Sequence, residues 1–264
     1  MTEIPQPQDI YRRTREVGAR RIERPLLEMI STALAAGFDI VAGIVALGIA
    51  GASIESRTGL GPAHVVGSLA FGIGFVFLVV GRGELFTENF LVPIAGLDHR
   101  RGSSWLGLAK LWVTSPLFNI LGGLVIILLL TTHGVLPNGT AQAFARNADE
   151  LHTHGTLALF VSAIFAGALI TAMTWFVEGQ ESMLVRVVVA WIAGALLAIG
   201  SFNHVIVATL ELIFGHRFGA HFAWTFILGN FFLAAAGNML GGIGLVTLNR
   251  LTQGKQGERK RASA

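Results

Sequence analysis

The sequence predicts an all-α membrane protein whose six transmembrane helices form a 3+3 inverted repeat, with helices 2 and 5 broken. Three observations carry that prediction. The 264 residues are 53% hydrophobic and 13% charged, against roughly 25% charged in soluble domains, and mean hydropathy is +0.64. Six apolar segments each approach the ~20 residues that cross a bilayer. Two of the six are interrupted by polar residues, and a single shift along the chain relates the interruptions.

The first interruption, residues 81–96, runs Gly81-Arg82-Gly83-Glu84-Leu85-Phe86-Thr87-Glu88-Asn89-Phe90 and on through Pro93 to Gly96. It ends the apolar run from Val65 to Val80. In lipid, freed backbone groups and charges persist only inside protein or beside a wet cavity, so a broken helix marks a site. The second interruption is Gly200-Ser201-Phe202-Asn203-His204, and Gly215 closes the half-helix after it. A shift of 119 residues carries Gly81 onto Gly200 and Gly96 onto Gly215. The same shift carries Asn119-Ile120-Leu121-Gly122-Gly123 onto Asn238-Met239-Leu240-Gly241-Gly242, and Gly48 onto Gly167. The chain therefore reads as two similar halves.

Residues 1–27 form a basic tail with Arg12, Arg13, Arg15, Arg20, Arg21 and Arg24, too long and too charged for a cleaved signal. Its Ile10–Ile22 stretch fits either an amphipathic helix on the membrane surface or a solvated tail. The membrane domain is 28–252, with segments at about 28–52, 63–96, 105–131, 156–178, 183–214 and 222–251, each judged by span length. A second basic tail, 253–264, ends the chain. Gly67, Gly72, Gly74, Gly122, Gly123, Gly237, Gly241 and Gly242 let helix backbones approach closely, and 132–155 is the longest connection. Lys and Arg crowd the two tails, the 97–104 connection and Arg186, while the other side offers Arg57, Arg146 and Arg217. Both termini are predicted to be cytoplasmic. Three spans per half insert the halves in opposite senses and bring the breaks together near the midplane. The pI near 9.9 comes from the tails and not from a folded basic surface, so no nucleic-acid partner is expected. No cysteine is present, which excludes disulfides.

His204 is a titratable group at mid-membrane depth, which points to proton relay or transient protonation of a solute. The competing assignment is a neutral His that satisfies freed carbonyls. Leu85 and Phe86 narrow a passage by dewetting and Thr87 offers a hydroxyl, unless all three merely fill space. Asn119 and Asn238 either line the path or tie helices together. The carboxylates Asp39, Glu84, Glu88 and Glu211 need a partner or a proton. Arg82 is the nearest candidate for Glu84, and Asp39 and Glu88 remain open between structural pairs and the path. His152, His154, His216 and His221 read as solvated. No H-E-x-x-H, G-x-S-x-G or P-loop occurs, so the sequence predicts no enzyme activity, no metal and no cofactor.

Gly83-Glu84-Leu85-Phe86-Thr87 in the broken second helix, Phe202-Asn203-His204 in the broken fifth, and Gly237-Asn238-Met239-Leu240-Gly241-Gly242 in the sixth resemble the formate/nitrite transporter family. The resemblance covers about 28–251 and is strongest to the family's YfdC-like branch. It implies an aquaporin-like protomer in a homopentamer of the bacterial inner membrane, surrounded by lipid. Each protomer would hold one solute path, with two hydrophobic constrictions around a central histidine, passing a small monovalent anion such as formate or nitrite, or its protonated acid. On that basis Leu85, Phe86 and Thr87 belong to the loop of the first break, His204 is the central histidine and Asn238 the sixth-helix amide. Phe71, Phe75 and Leu197 fall at the constrictions, and Asn203 and Glu88 complete the expected path.

Three departures stand out. The family's fourth-helix Asn is Gly167 here, and the Asn four residues after the central His is Ala208. Its anion-attracting lysine has no match in Asp149-Glu150-Leu151-His152, and Glu88 replaces a small residue after L-F-T. A funnel for anions has the opposite sign, so small neutral or cationic solutes compete with the anion. Outside transport, the alternative is a non-conducting scaffold or sensor whose basic tails bind partners or anionic lipid.

Overall fold

A computed structural model describes residues 5–262; residues 1–4 and 263–264, the ends of the two basic tails, lie outside the described residues. From the N-terminus, α1 (Pro7–Ile22) precedes α2 (Leu26–Thr58) and α3 (Leu60–Gly81). A 3-10 turn (Phe86–Phe90) and the single turn α4 (Val92–Gly96) follow, then α5 (Gly102–Leu130). The second half repeats the order with α6 (Thr140–Thr153), α7 (Thr156–Glu178), α8 (Met183–Ile199), α9 (Val205–Arg217) and α10 (Trp224–Met239). α10 continues through a π-helical stretch (Leu240–Thr247) into α11 (Leu248–Ala262). Four helices, α2, α3, α5 and α7, are long and apolar enough to cross a membrane, as is the continuous helix from Trp224 to Arg259. The remaining crossing is shared by α8 and α9 across the second break, so the expected six spans and both interruptions are present.

The two halves are related more fully than one shift conveys. The 119-residue shift holds from α3 onward, and it places symmetry-related residues in mutual contact where α3 packs on α8. It carries Gly72 onto Trp191 and Phe75 onto Gly194. Gly72 lies against Trp191, and a Cβ on Gly194 would sit 2.8 Å from Phe75. For the first helices the shift is different. Gly37 is pressed on the backbone of Asn119 just as Gly167 is pressed on the backbone of Asn238, which makes Gly37, not Gly48, the counterpart of Gly167. The true shift there is 130 residues, because α2 has 33 residues and α7 has 23. Gly48 instead faces the ring of Phe144.

Each half also starts with an amphipathic helix. α1 packs along α4 at Gly18 and Gly96, and α6 packs along α9 at Ala148 and Gly215. α1 buries Tyr11, Thr14, Gly18, Arg21 and Ile22 and also lies against α11, so it docks on the protein body and does not simply lie on a membrane surface. That contact sets the two terminal helices on one face of the molecule. The connection 132–155, the longest in the chain and read from its Pro137, Asn138 and Gly139 as a loop, holds α6, whose Phe144, Ala148 and Leu151 are buried at helical spacing. The C-terminal residues from 253 to 262 extend the last helix and do not form a separate tail.

Close approach at glycine holds the half-repeats together. Any Cβ on Gly241 would overlap the carbonyl oxygen of Ile164, whereas Gly61 has open space around it. Overpacking of this kind costs roughly 1–3 kcal/mol. Gly241→Ala should therefore lower the thermal midpoint of the detergent-solubilised protein, while Gly61→Ala should leave it unchanged or raise it slightly.

Candidate functional site

Both breaks are built the same way. α3 is capped at Arg82 and α8 at Gly200, with Ser201 next. Arg82 (φ 55°) and Ser201 (φ 47°) are the non-glycine residues with positive φ among the described residues, and the 119-residue shift relates them. Beyond each, a backbone amide reaches back to close the helix: Gly83 N donates to Leu78 O at 3.0 Å and Phe202 N to Leu197 O at 3.0 Å, the C-terminal closure that a left-handed residue permits.

The chain then runs without helical hydrogen bonds, and one buried amide on each side supplies them. Asn119 accepts from Phe86 N (2.9 Å) and donates to Ala33 O and Glu84 O (2.9 Å each). Asn238 accepts from Val205 N (2.9 Å) and donates to Ala163 O (2.8 Å) and Asn203 O (3.1 Å). Each amide thus spends three of its hydrogen-bonding positions on backbone, and both side chains are fully buried.

These anchors set the two breaks against each other. Thr87 Oγ1 lies 2.8 Å from His204 Nε2, with both residues fully buried. His204 is also the N-cap of α9, its Nδ1 accepting from Val207 N at 3.4 Å. Because a backbone N–H can only donate, Nδ1 is an acceptor, the proton sits on Nε2, and the ring is neutral in this arrangement. Nε2–H therefore donates to Thr87 Oγ1, and the threonine hydroxyl proton has no acceptor among the described residues. Phe71, Phe75, Leu85 and Phe86 are all buried and belong to the main hydrophobic cluster. Phe71 and Phe75 are neighbours at 5.9 Å between ring centroids.

Residues 8–251 match the family described as Formate/nitrite transporter. The chain belongs to the formate/nitrite transporter family. It is 27% identical over 240 residues to the inner membrane protein YfdC of Escherichia coli K12, covering 88% of this chain and 74% of that protein. It is 25% identical over 211 residues to the formate channel FocA of the same organism, covering 71% and 73%. Among solved structures, one described as a pentameric formate channel with formate bound has a TM-score of 0.72 at 19% identity, covering 84% of this chain and 95% of that one. Another, an FNT family ion channel, has a TM-score of 0.75 at 20% identity, covering 91% and 97%. At that identity the likeness shows the shared fold of an integral membrane protein.

In this member of the formate/nitrite transporter family the charged residues of the first break form a network that the sequence misassigned. Arg82 is exposed and does not pair with Glu84. The partners come from α1 and the turn after it: Arg24 Nη1 lies 2.6 Å and Arg21 Nε 3.6 Å from Glu84 Oε2. Asn89 donates to Glu84 Oε1 (3.0 Å) and to Ser115 Oγ (3.2 Å), and accepts from Arg21 (3.3 Å). No local spacing reveals this, since about sixty residues separate the partners. Glu88 accepts from Leu85 N at 3.0 Å and so closes its own turn. Asn203, the counterpart of Glu84, exchanges two amide hydrogen bonds with Asn230 (2.8 and 3.0 Å). Asp39 is half-buried beside Gly81 and Gly83 and makes no hydrogen bond or ion pair among the described residues.

The departures from the family pattern have structural counterparts. Gly167 has no room for a side chain, because the backbone of Asn238 occupies the space. Ala208 lines a cavity on the face opposite the termini, together with Leu197, Phe202, Glu150 and Glu211. At the missing-lysine stretch, Asp149 accepts from His221 N at 2.6 Å. Of the histidines read as solvated, His221 is exposed, whereas His216 is packed between Phe222 and Trp224.

Two outcomes follow. Asn119→Ala and Asn238→Ala each strand buried backbone donors and acceptors, at about 1–3 kcal/mol per orphaned group. Both should lower the thermal midpoint more than Thr87→Val, the single-hydroxyl control. Glu84→Ala breaks a buried ion pair, typically a loss of roughly 3–5 kcal/mol, and should speed amide hydrogen exchange along α1; Arg82→Ala should not.

Proposed function

We propose that this chain is a channel or transporter that carries a small monovalent anion of the formate or nitrite kind, or its protonated acid, along a path through each protomer of a homopentamer. Both termini face the cytoplasm in this reading, in keeping with the concentration of Lys and Arg on their side. The observation that carries it is the Thr87–His204 contact, a polar pair in which both residues are fully buried. Formate is the named solute of the FocA relatives.

The chemistry follows from cost. A bare charge in an apolar constriction is prohibitive, whereas the neutral acid crosses easily. Thr87 offers its free hydroxyl proton to the solute, and His204 polarises that hydroxyl from behind. A proton taken up by His204 has to break the Val207 contact at Nδ1, so imidazolium is favoured only when an anion sits at Thr87 to balance it. Anion and proton then pass the Phe71, Phe75, Leu85, Phe86 and Leu197 side chains together, with no net charge moved.

His204→Phe and His204→Asn remove the proton carrier while keeping a buried side chain. Formate uptake into proteoliposomes should lose its pH dependence in both variants. An unaltered pH profile would remove His204 from the proton step, and full-length protein that passes no solute across a broad flux screen would favour a non-conducting scaffold.

A further inference from the structure

The cavity on the face opposite the termini opens directly onto Leu197. Its volume is about 40 Å³, enough for a few waters or a solute of a few heavy atoms. Among the described residues its charged and titratable lining consists of Glu211 from α9, Glu150 from α6, His154 just after α6, and His64 from α3. A second cavity of about 490 Å³ adjoins it, sharing His64, Asn147 and Glu150 and adding Glu55 and Arg146. Among the described residues, the one Lys or Arg in either lining is Arg146, already paired with Glu55. His64 spends Nε2 on the carbonyl of Ile199, 3.1 Å away. Glu211 makes no hydrogen bond or ion pair among the described residues, and it shares the cavity with the apolar Leu197, Val207 and Ala208.

We infer that Glu211 is a specificity-determining residue: its carboxylate makes this mouth repel free anions and admit the uncharged form of a small weak acid, or a neutral solute of similar size. The proposal rests on the channel reading above and adds a direction to it. Three features converge on it. Glu211 has no countercharge among the described residues, the guanidinium in the adjoining cavity is already paired with Glu55, and the apolar Leu197 lines the same cavity. An anion approaching Leu197 has to pass the carboxylate with nothing positive in reach, so the sign of the mouth selects against it. A neutral molecule feels no such repulsion.

The test uses full-length protein in proteoliposomes and compares initial rates for formate at pH 7.5 with those for formamide, an uncharged probe of matching size. Removing one unit charge roughly 6 Å from an anion corresponds to about a tenfold change at an effective dielectric constant of about 40, between bulk water and a protein surface. Glu211→Gln should therefore raise the formate-to-formamide ratio by about that factor, Glu211→Lys should raise it further, and Glu211→Asp should keep the wild-type ratio. An unchanged ratio in both the Gln and Lys variants overturns the proposal. So does an equal loss of both fluxes in variants that still elute as intact assemblies, since that marks a structural role. Wild-type protein that passes neither probe at any pH removes the channel reading itself, and the filter with it.

Discussion

Two buried amides carry the architecture. A helix interrupted inside a membrane protein frees backbone donors and acceptors that lipid cannot satisfy, and here Asn119 and Asn238 satisfy them from the facing helices. Each amide also donates to a carbonyl of the first long helix of its half, at Ala33 and Ala163. One side chain thus locks three segments. The glycines pressed against those Asn residues, Gly37 and Gly167, exist because the helices must come close enough for the amides to reach. The rest of the site depends on that closeness.

Held this way, the breaks present opposite chemistry to each other. Leu85 and His204 are equivalent positions, yet one is apolar and the other caps a helix and touches Thr87. Glu84 and Asn203 are equivalent too. The first is balanced by guanidinium groups from outside the repeat core, the second by a neutral amide partner. Symmetry in the backbone with asymmetry in the side chains yields a contact between unlike groups near the pseudo-twofold axis. The difference also ties the first break to α1, while the second break is closed by neutral hydrogen bonds alone.

How far this was legible depends on whether the signal was local. Composition, six apolar segments and the two interruptions follow from residues adjacent in sequence, and the N-x-L-G-G pair marks the anchors. The Phe144, Ala148 and Leu151 spacing of α6 was equally local, but the Pro, Asn and Gly before it read as a loop. The single-shift arithmetic failed for the first helices because α2 is ten residues longer than α7, so Gly48 matched Gly167 by coincidence of spacing. Arg82 was the natural partner for Glu84 by proximity along the chain. The left-handed conformation at Arg82 turns it outward instead.

By itself the sequence determined the class of the protein, the two-half plan, the location of both breaks and the identity of the buried polar residues within them, because hydrophobic length and helix interruption are written in consecutive residues. Only the tertiary structure decided which polar groups satisfy one another. The Arg21 and Arg24 pairing with Glu84, the neutral state of His204 facing Thr87, and the uncompensated Glu211 at the cavity all arise from segments far apart in the chain. Hydrogen bonds and charge pairs act over a few ångströms, and the folded backbone alone sets which groups lie within that reach.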